Sequence, residues 1–133
     1  MRVLTASNEG EIDVAFATLA QPAGAALTIG ADTFFYSRPG RLVGLAARHA
    51  IPTIYFHRSF ALAGGLITYG ATFTDELRTA GRYAGQILAG EKPNNLPILQ
   101  PSKFELVINL KTARVLGLAI PPTLLARADE VIE

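Results

Sequence analysis

The sequence predicts an α/β fold on a parallel sheet, and three observations carry the prediction. Short apolar runs of strand length, Ala25 to Ile29, Thr53 to Phe56 and Phe104 to Leu110, alternate with stretches whose apolar residues recur at helical spacing. Half of the 133 residues are apolar and only 17% are charged, which excludes a disordered chain and suits a sheet covered on both faces. The connections are short, and strand-helix-strand alternation of that kind demands right-handed crossovers between parallel strands.

The elements follow in order. Arg2 to Ala6 reads as a short strand. Asn8 with Glu11 three residues later is a helix start, and Ile12, Ala15, Phe16 and Leu19 form one apolar face of a helix running to about Ala20. Gln21-Pro22-Ala23-Gly24 breaks that helix, and Ala25 to Ile29 completes a β-α-β unit. After a loop from Gly30 to Tyr36, Ser37 is the expected N-cap, with Pro39 in the first turn and Leu42, Val43, Ala46 and His49 at helical spacing. This second helix ends before Ile51-Pro52, and Thr53 to Phe56 is the third strand.

From Phe56 to Gly64 the pattern changes, and Gly64-Gly65 leads into a strand from Leu66 to Gly70. Thr74 is the expected cap of a long helix with Asp75 and Glu76 at its positive end, Leu77, Ala80, Ala84, Ile87 and Leu88 on one face, and Gly90 at its stop. Lys92 to Pro101 is a proline-punctuated connection. Phe104 to Leu110 is then a strand, Asn109 caps a helix starting near Lys111, Gly117 stops it, and Pro121-Pro122 opens a last short helix through Leu124, Leu125 and Ala128.

Composition removes several function classes. The net charge of +1 comes from scattered residues with no basic block, so nucleic acid is not an expected partner. No apolar run approaches the roughly 20 residues needed to cross a bilayer. Cysteine is absent, which excludes disulfides, thiolate catalysis and cysteine metal sites. The two histidines, His49 and His57, have no metal-ligand spacing, and no phosphate loop, nucleophile elbow or dinucleotide fingerprint occurs. No enzymatic activity and no cofactor are expected.

The ending Lys103 to Arg114, Leu116 to Pro122 and Leu124 to Ile132 closely resembles the C-terminal end of the solute-binding proteins of ABC transporters. Glu11 to Ala20, Gly30 to Phe35, Leu45 to Tyr55, Ala63 to Leu66 and Thr68 to Gly70 resemble the same family in the same order. The resemblance implies a periplasmic-binding-protein-like chain with flavodoxin-like lobes, in which a small solute, for some members an aromatic amino acid, is held between two lobes and delivered to an ABC permease. It implies a periplasmic location for the intact family, although Met1-Arg2-Val3-Leu4 does not begin a secretion signal. Relative to the family pattern the chain is expected to be a C-terminal portion, with residues 1–60 forming part of the second lobe and 61–133 crossing the hinge and returning to the first. Apolar faces left uncovered by a missing lobe would favour homodimerisation or segment exchange. The alternative is an effector-sensing domain of a transcription regulator or signalling protein on the same fold.

In open α/β sheets ligands bind beyond the carboxyl ends of the strands. Gly30 to Phe35, Tyr55 to Phe60 and Ala63 to Tyr69 are the segments expected there. Asp32, with Thr33 beside it, can accept hydrogen bonds from a ligand ammonium group or can form an Asx-turn. Phe34, Phe35 and Tyr36 can supply a flat apolar wall, though three successive rings cannot all face one way. Tyr55, Phe56 and His57 can line a cleft or cover the sheet edge. Gly64 and Gly65 permit close approach or hinge motion, and Tyr69 is a cleft or a core residue.

Overall fold

The structure, a computed structural model, describes residues 1–19 and 24–133. Asn8 starts the first helix as its spacing to Glu11 predicts: its Oδ1 accepts from the Glu11 amide at 2.9 Å, and the Glu11 carboxylate accepts from the Ser7 amide and the Asn8 side chain. Helix α1, Glu9–Leu19, buries Ile12 and Phe16. The helix end expected near Ala20 and the break at Gln21-Pro22-Ala23 lie outside the described residues. Strand β1 is Leu27–Thr28, with the flanking Ile29 amide also bonded to the next strand.

The stretch expected as a loop after β1 winds into one turn, α2, Thr33–Tyr36. Ser37 therefore does not cap the next helix. Its amide closes α2 on the Thr33 carbonyl and its hydroxyl donates to the Phe34 carbonyl, so Arg38, with no side-chain cap bond, precedes α3, Pro39–Arg48. Pro39 supplies the first turn, where a missing N–H leaves no hydrogen bond unmade. Strand β2, Thr53–Tyr55, follows, and then α4, Arg58–Leu62, in the region where the sequence pattern changes.

Strand β3 is Ile67–Ala71 and the long helix α5 is Phe73–Leu88. Its N-cap is Thr72 rather than Thr74, while Asp75 and Glu76 occupy the first turn as expected. A 3-10 turn, Pro93–Asn95, interrupts the connection to β4, Phe104–Asn109. Asn109 Oδ1 accepts from the Thr112 amide at 3.0 Å and caps α6, Leu110–Val115, and Gly117 takes a φ of +68° at its stop. Pro122 opens α7, Pro122–Leu125, which stops short of the expected Ala128, and after a turn a final strand, β5, Glu130–Ile132, follows.

All strands join one five-stranded sheet in the order β1-β2-β3-β4-β5. β1, β2 and β3 are parallel, β4 is antiparallel to β3, and β5 is parallel to β4. The sheet is thus mixed and mostly parallel. The boundary expected near residue 60 falls inside α4, and β3, β4 and β5 on its far side continue the sheet begun by β1 and β2.

Helices α1, α3 and α4 cover one face, where Ile12, Phe16, Leu42, Val43, Leu45, Ala46, Tyr55 and Phe60 form the core. The Tyr55 and Phe60 rings stack at 4.8 Å. Full burial of such side chains is worth roughly 1.5–3 kcal/mol each. The other face is covered only in part: Ile108, opposite Ile67 on that face, is fully buried, while Ile54 and Tyr69, at 41% and 56% exposure, are open. Arg2 to Ala6, expected as a strand, makes no ladder with β1 among the described residues. Among those residues no helix is long and apolar enough to cross a membrane, and no His, Asp and Glu cluster is placed to hold a metal ion.

Candidate functional site

Because β1, β2 and β3 run parallel, their carboxyl ends share one edge of the sheet, and the antiparallel pairing of Ala71 with Phe104 brings the start of β4 to the same edge. Each strand end there feeds a tight turn into a helix. Asp32 follows β1 and caps α2, its Oδ1 accepting from the Phe34 amide at 2.7 Å. Asp32 and Thr33 stay exposed. The local turn anticipated for Asp32 is therefore formed, and it holds the carboxylate at the rim.

The successive aromatic residues divide as steric alternation requires. Phe34 and Phe35 lean on the core, and the Arg38 guanidinium lies 4.0 Å above the Phe34 ring. Tyr36 turns the other way, toward the ends of β2 and β3. Its ring lies 4.9 Å from His57, edge-on, and 5.3 Å from Phe73, while His57 and Phe73 are 4.5 Å apart. Phe56 approaches Tyr36 at 6.4 Å and anchors the group to Phe60 at 5.2 Å. Rings from α2, the start of α4 and the start of α5 thus meet at one place.

His57 has a structural duty as well. Its Nδ1 accepts from the Ser59 amide at 3.1 Å and caps α4, which requires an unprotonated Nδ1. Burial lowers its pKa below the usual value, partly opposed by the Glu105 and Glu76 carboxylates. Beside the ring cluster is a hollow of about 430 Å³ bordered by His57, Arg58, Gly70, Thr72, Phe73 and Glu105. Thr72 Oγ1 is buried at its rim and has no hydrogen-bond partner among the described residues. Arg58 reaches across to Glu105 on β4, at 2.6 Å, and to Glu130 on β5, which raises the guanidinium pKa.

The remaining expected residues lie elsewhere. Tyr55 is 1% exposed and belongs to the core, where desolvation pushes its phenol up to about 12. Gly64 and Gly65 precede β3 and so sit at the end of the sheet opposite Asp32. Gly64 has a φ of +99°, the Gly65 amide donates to Phe60 O at 2.7 Å, and a Cβ on Gly65 would come within 2.8 Å of Tyr55 and Phe60. The pair is a close-packed turn. Tyr69 stacks on Phe104 at 5.6 Å, both half or more exposed, on the sheet face turned away from the core. Phe73 and Thr72 were missed by sequence reasoning, yet they directly follow β3, and the rule that pointed to the ends of β1 and β2 applies equally there.

A family model described as ABC transporter substrate binding protein matches residues 1–132. No curated protein sequence matches the chain. Among solved structures, a conserved domain protein from Vibrio cholerae matches with a TM-score of 0.84 and 24% identity, over 96% of this chain and 43% of that one. An ABC domain from Streptococcus pneumonia in complex with L-Trp matches with a TM-score of 0.84 and 24% identity, over 98% of this chain and 45% of the other. A ligand-free, open substrate binding protein with adhesive properties from Clostridium difficile gives a TM-score of 0.61 and 19% identity, over 96% and 42%. The chain spans less than half the length of these structures, and the likeness extends to the α/β fold. With the family model matched from residue 1 to residue 132, the chain belongs to the ABC transporter substrate binding protein family.

Proposed function

We propose that the carboxyl edge of β1–β3 is one wall of a solute cleft serving an ABC importer, and that its ligand carries an aromatic ring and an ammonium group. The carrying observation is the meeting of Tyr36, His57 and Phe73 rings from separate elements on the edge that also presents Asp32. Ring faces offer stacking to a flat ligand, and the exposed Asp32 carboxylate offers a charge-assisted acceptor. Tyr55, Gly64, Gly65 and Tyr69 stay outside this wall.

Lobe membership follows the sheet. The five strands belong to one lobe, and α5 with the 92–101 connection is the excursion toward the other, since no α5 residue is buried. A single copy presents half a cleft, so affinity is weak, and a second copy covers the apolar face of α5. Titration calorimetry with L-tryptophan, L-leucine, adenosine and glucose tests the reading. Saturable binding of tryptophan in the millimolar range or tighter, weakened about tenfold by Asp32→Ala, is expected. Binding unaffected by that substitution, or none of any solute, overturns it.

A further inference from the structure

Of the two ring nitrogens of His57, the fold engages one and leaves the other. Nδ1 lies 3.1 Å from the Ser59 amide and 3.0 Å from the Ser59 hydroxyl. A backbone N–H can only donate, so Nδ1 accepts and carries no proton, and in the neutral imidazole the proton then sits on Nε2. Capping α4 thus fixes the tautomer. The Nε2–H donates to no group among the described residues. The buried side-chain atoms that lack a partner among those residues are Arg38 Nε and Thr72 Oγ1, so the unpartnered His57 Nε2 is reached from outside.

The imidazole borders the hollow of about 430 Å³ at the carboxyl edge, a volume within the roughly 300–1,000 Å³ of small-molecule sites. Tyr36 from α2 and Phe73 from α5 pack against it at 4.9 and 4.5 Å, and the ring cannot turn away without breaking these contacts and the α4 cap together. A donor held this way is pre-organised.

The charges facing His57 decide which acceptor fits. Glu105 on β4 and Glu76 on α5 bring two carboxylates to bear on it. Arg58 on α4, the one cation bordering the hollow among the described residues, is already shared by Glu105 and Glu130. A ligand anion beside Nε2 would face those carboxylates with no free cation to offset them. A neutral acceptor, such as a ring nitrogen or a carbonyl oxygen, meets the donor without that cost. Resting on the solute cleft proposed above, we infer that His57 is a specificity-determining residue whose Nε2–H selects solutes with a neutral hydrogen-bond acceptor on the aromatic ring. Tryptophan, whose indole N–H only donates, leaves that proton unpaired, and a site built to pair a polar group discriminates against the analogue that lacks its partner.

The test compares L-phenylalanine with the three L-pyridylalanines, in which one ring CH becomes a nitrogen that accepts and does not donate at about pH 8. NMR titration of the 133-residue chain is expected to find one pyridyl isomer about fivefold tighter than phenylalanine, the scale of one neutral hydrogen bond. In His57→Asn, whose side-chain oxygen keeps an acceptor for the α4 cap, that ratio is expected to fall to about one. Long-range proton–nitrogen spectra of the ligand-free chain, assignable because His49 and His57 are its only histidines, are expected to show His57 protonated on Nε2 at about pH 8. Three results overturn the inference and leave the cleft standing: no isomer ahead of phenylalanine while tryptophan binds, a preference that survives His57→Asn, or a proton on Nδ1. Binding of neither tryptophan, phenylalanine nor any isomer overturns both.

Discussion

Gly70 lies on β3 directly over the Phe56 backbone, and a Cβ there would overlap the Phe56 carbonyl oxygen. Gly81 and Gly85, inside α5, have open space around them. Alanine substitution therefore has opposite signs. Gly70→Ala is expected to cost about 1–3 kcal/mol through overpacking, and Gly81→Ala or Gly85→Ala to gain about 0.5–1 kcal/mol through helix propensity, both read from urea unfolding. His57 sets a pH dependence. Its folded pKa lies below 6.5, so its contribution is complete above pH 6.5 and is lost as pH falls through the lowered value, when a proton removes the acceptor that caps α4. His57→Asn keeps an acceptor without a titration, and the acid slope of stability below pH 6.5 should flatten. Tyr55 behaves oppositely. With its phenol raised from 10.0 to about 12, stability is full below pH 10 and falls as pH rises toward 12. Absorbance titration should show a late-ionising tyrosine that Tyr55→Phe removes.

At the scale of elements, α4 ties strands together. Arg58 at its start spans Glu105 on β4 and Glu130 on β5, so removing the cation leaves two carboxylates facing one another. The groups are only partly buried, and the expected cost of Arg58→Met is roughly 1–2 kcal/mol, falling with added salt. A double-mutant cycle with Glu130→Gln should recover part of it, and additivity would show that the bridge contributes nothing. Most elements were legible in the sequence where a local rule governs them. Asn8 with Glu11, Asn109 before α6, Pro39 and Gly117 did what capping and dihedral preferences demand. α4 escaped because its cap is a histidine, absent from the usual cap residues. β5 escaped because three residues carry no period of their own, and pairing with β4 makes them a strand.

On the whole molecule, α5 and the open part of the sheet face around Ile54, Tyr69 and Phe104 expose apolar surface that a stable chain in water would cover. Leu77 and Leu88 are 70% and 88% exposed, and the Tyr69 and Phe104 rings stack in the open. Sedimentation equilibrium should find a dimer at tens of micromolar, and Leu77→Glu should return it to monomer without lowering the unfolding midpoint of the monomer; a wild-type monomer at that concentration ends the dimer reading. The candidate site divides in the same way as the fold. Asp32 and the aromatic run were visible as residues at a strand end, but the partition of Phe34 and Phe35 inward and Tyr36 outward depends on how α2 winds, and the approach of Phe73 depends on β3 lying beside β2. The amino-acid sequence by itself determined the α/β class, most helix starts and stops, and the family, because each rests on patterns within a few residues or on their order. Only the tertiary structure decided the mixed sheet, the buried role of Tyr55 and the ring cluster at the carboxyl edge. Those depend on which distant segments become neighbours, and hydrogen-bond pairing and shared burial settle that only once the chain has folded.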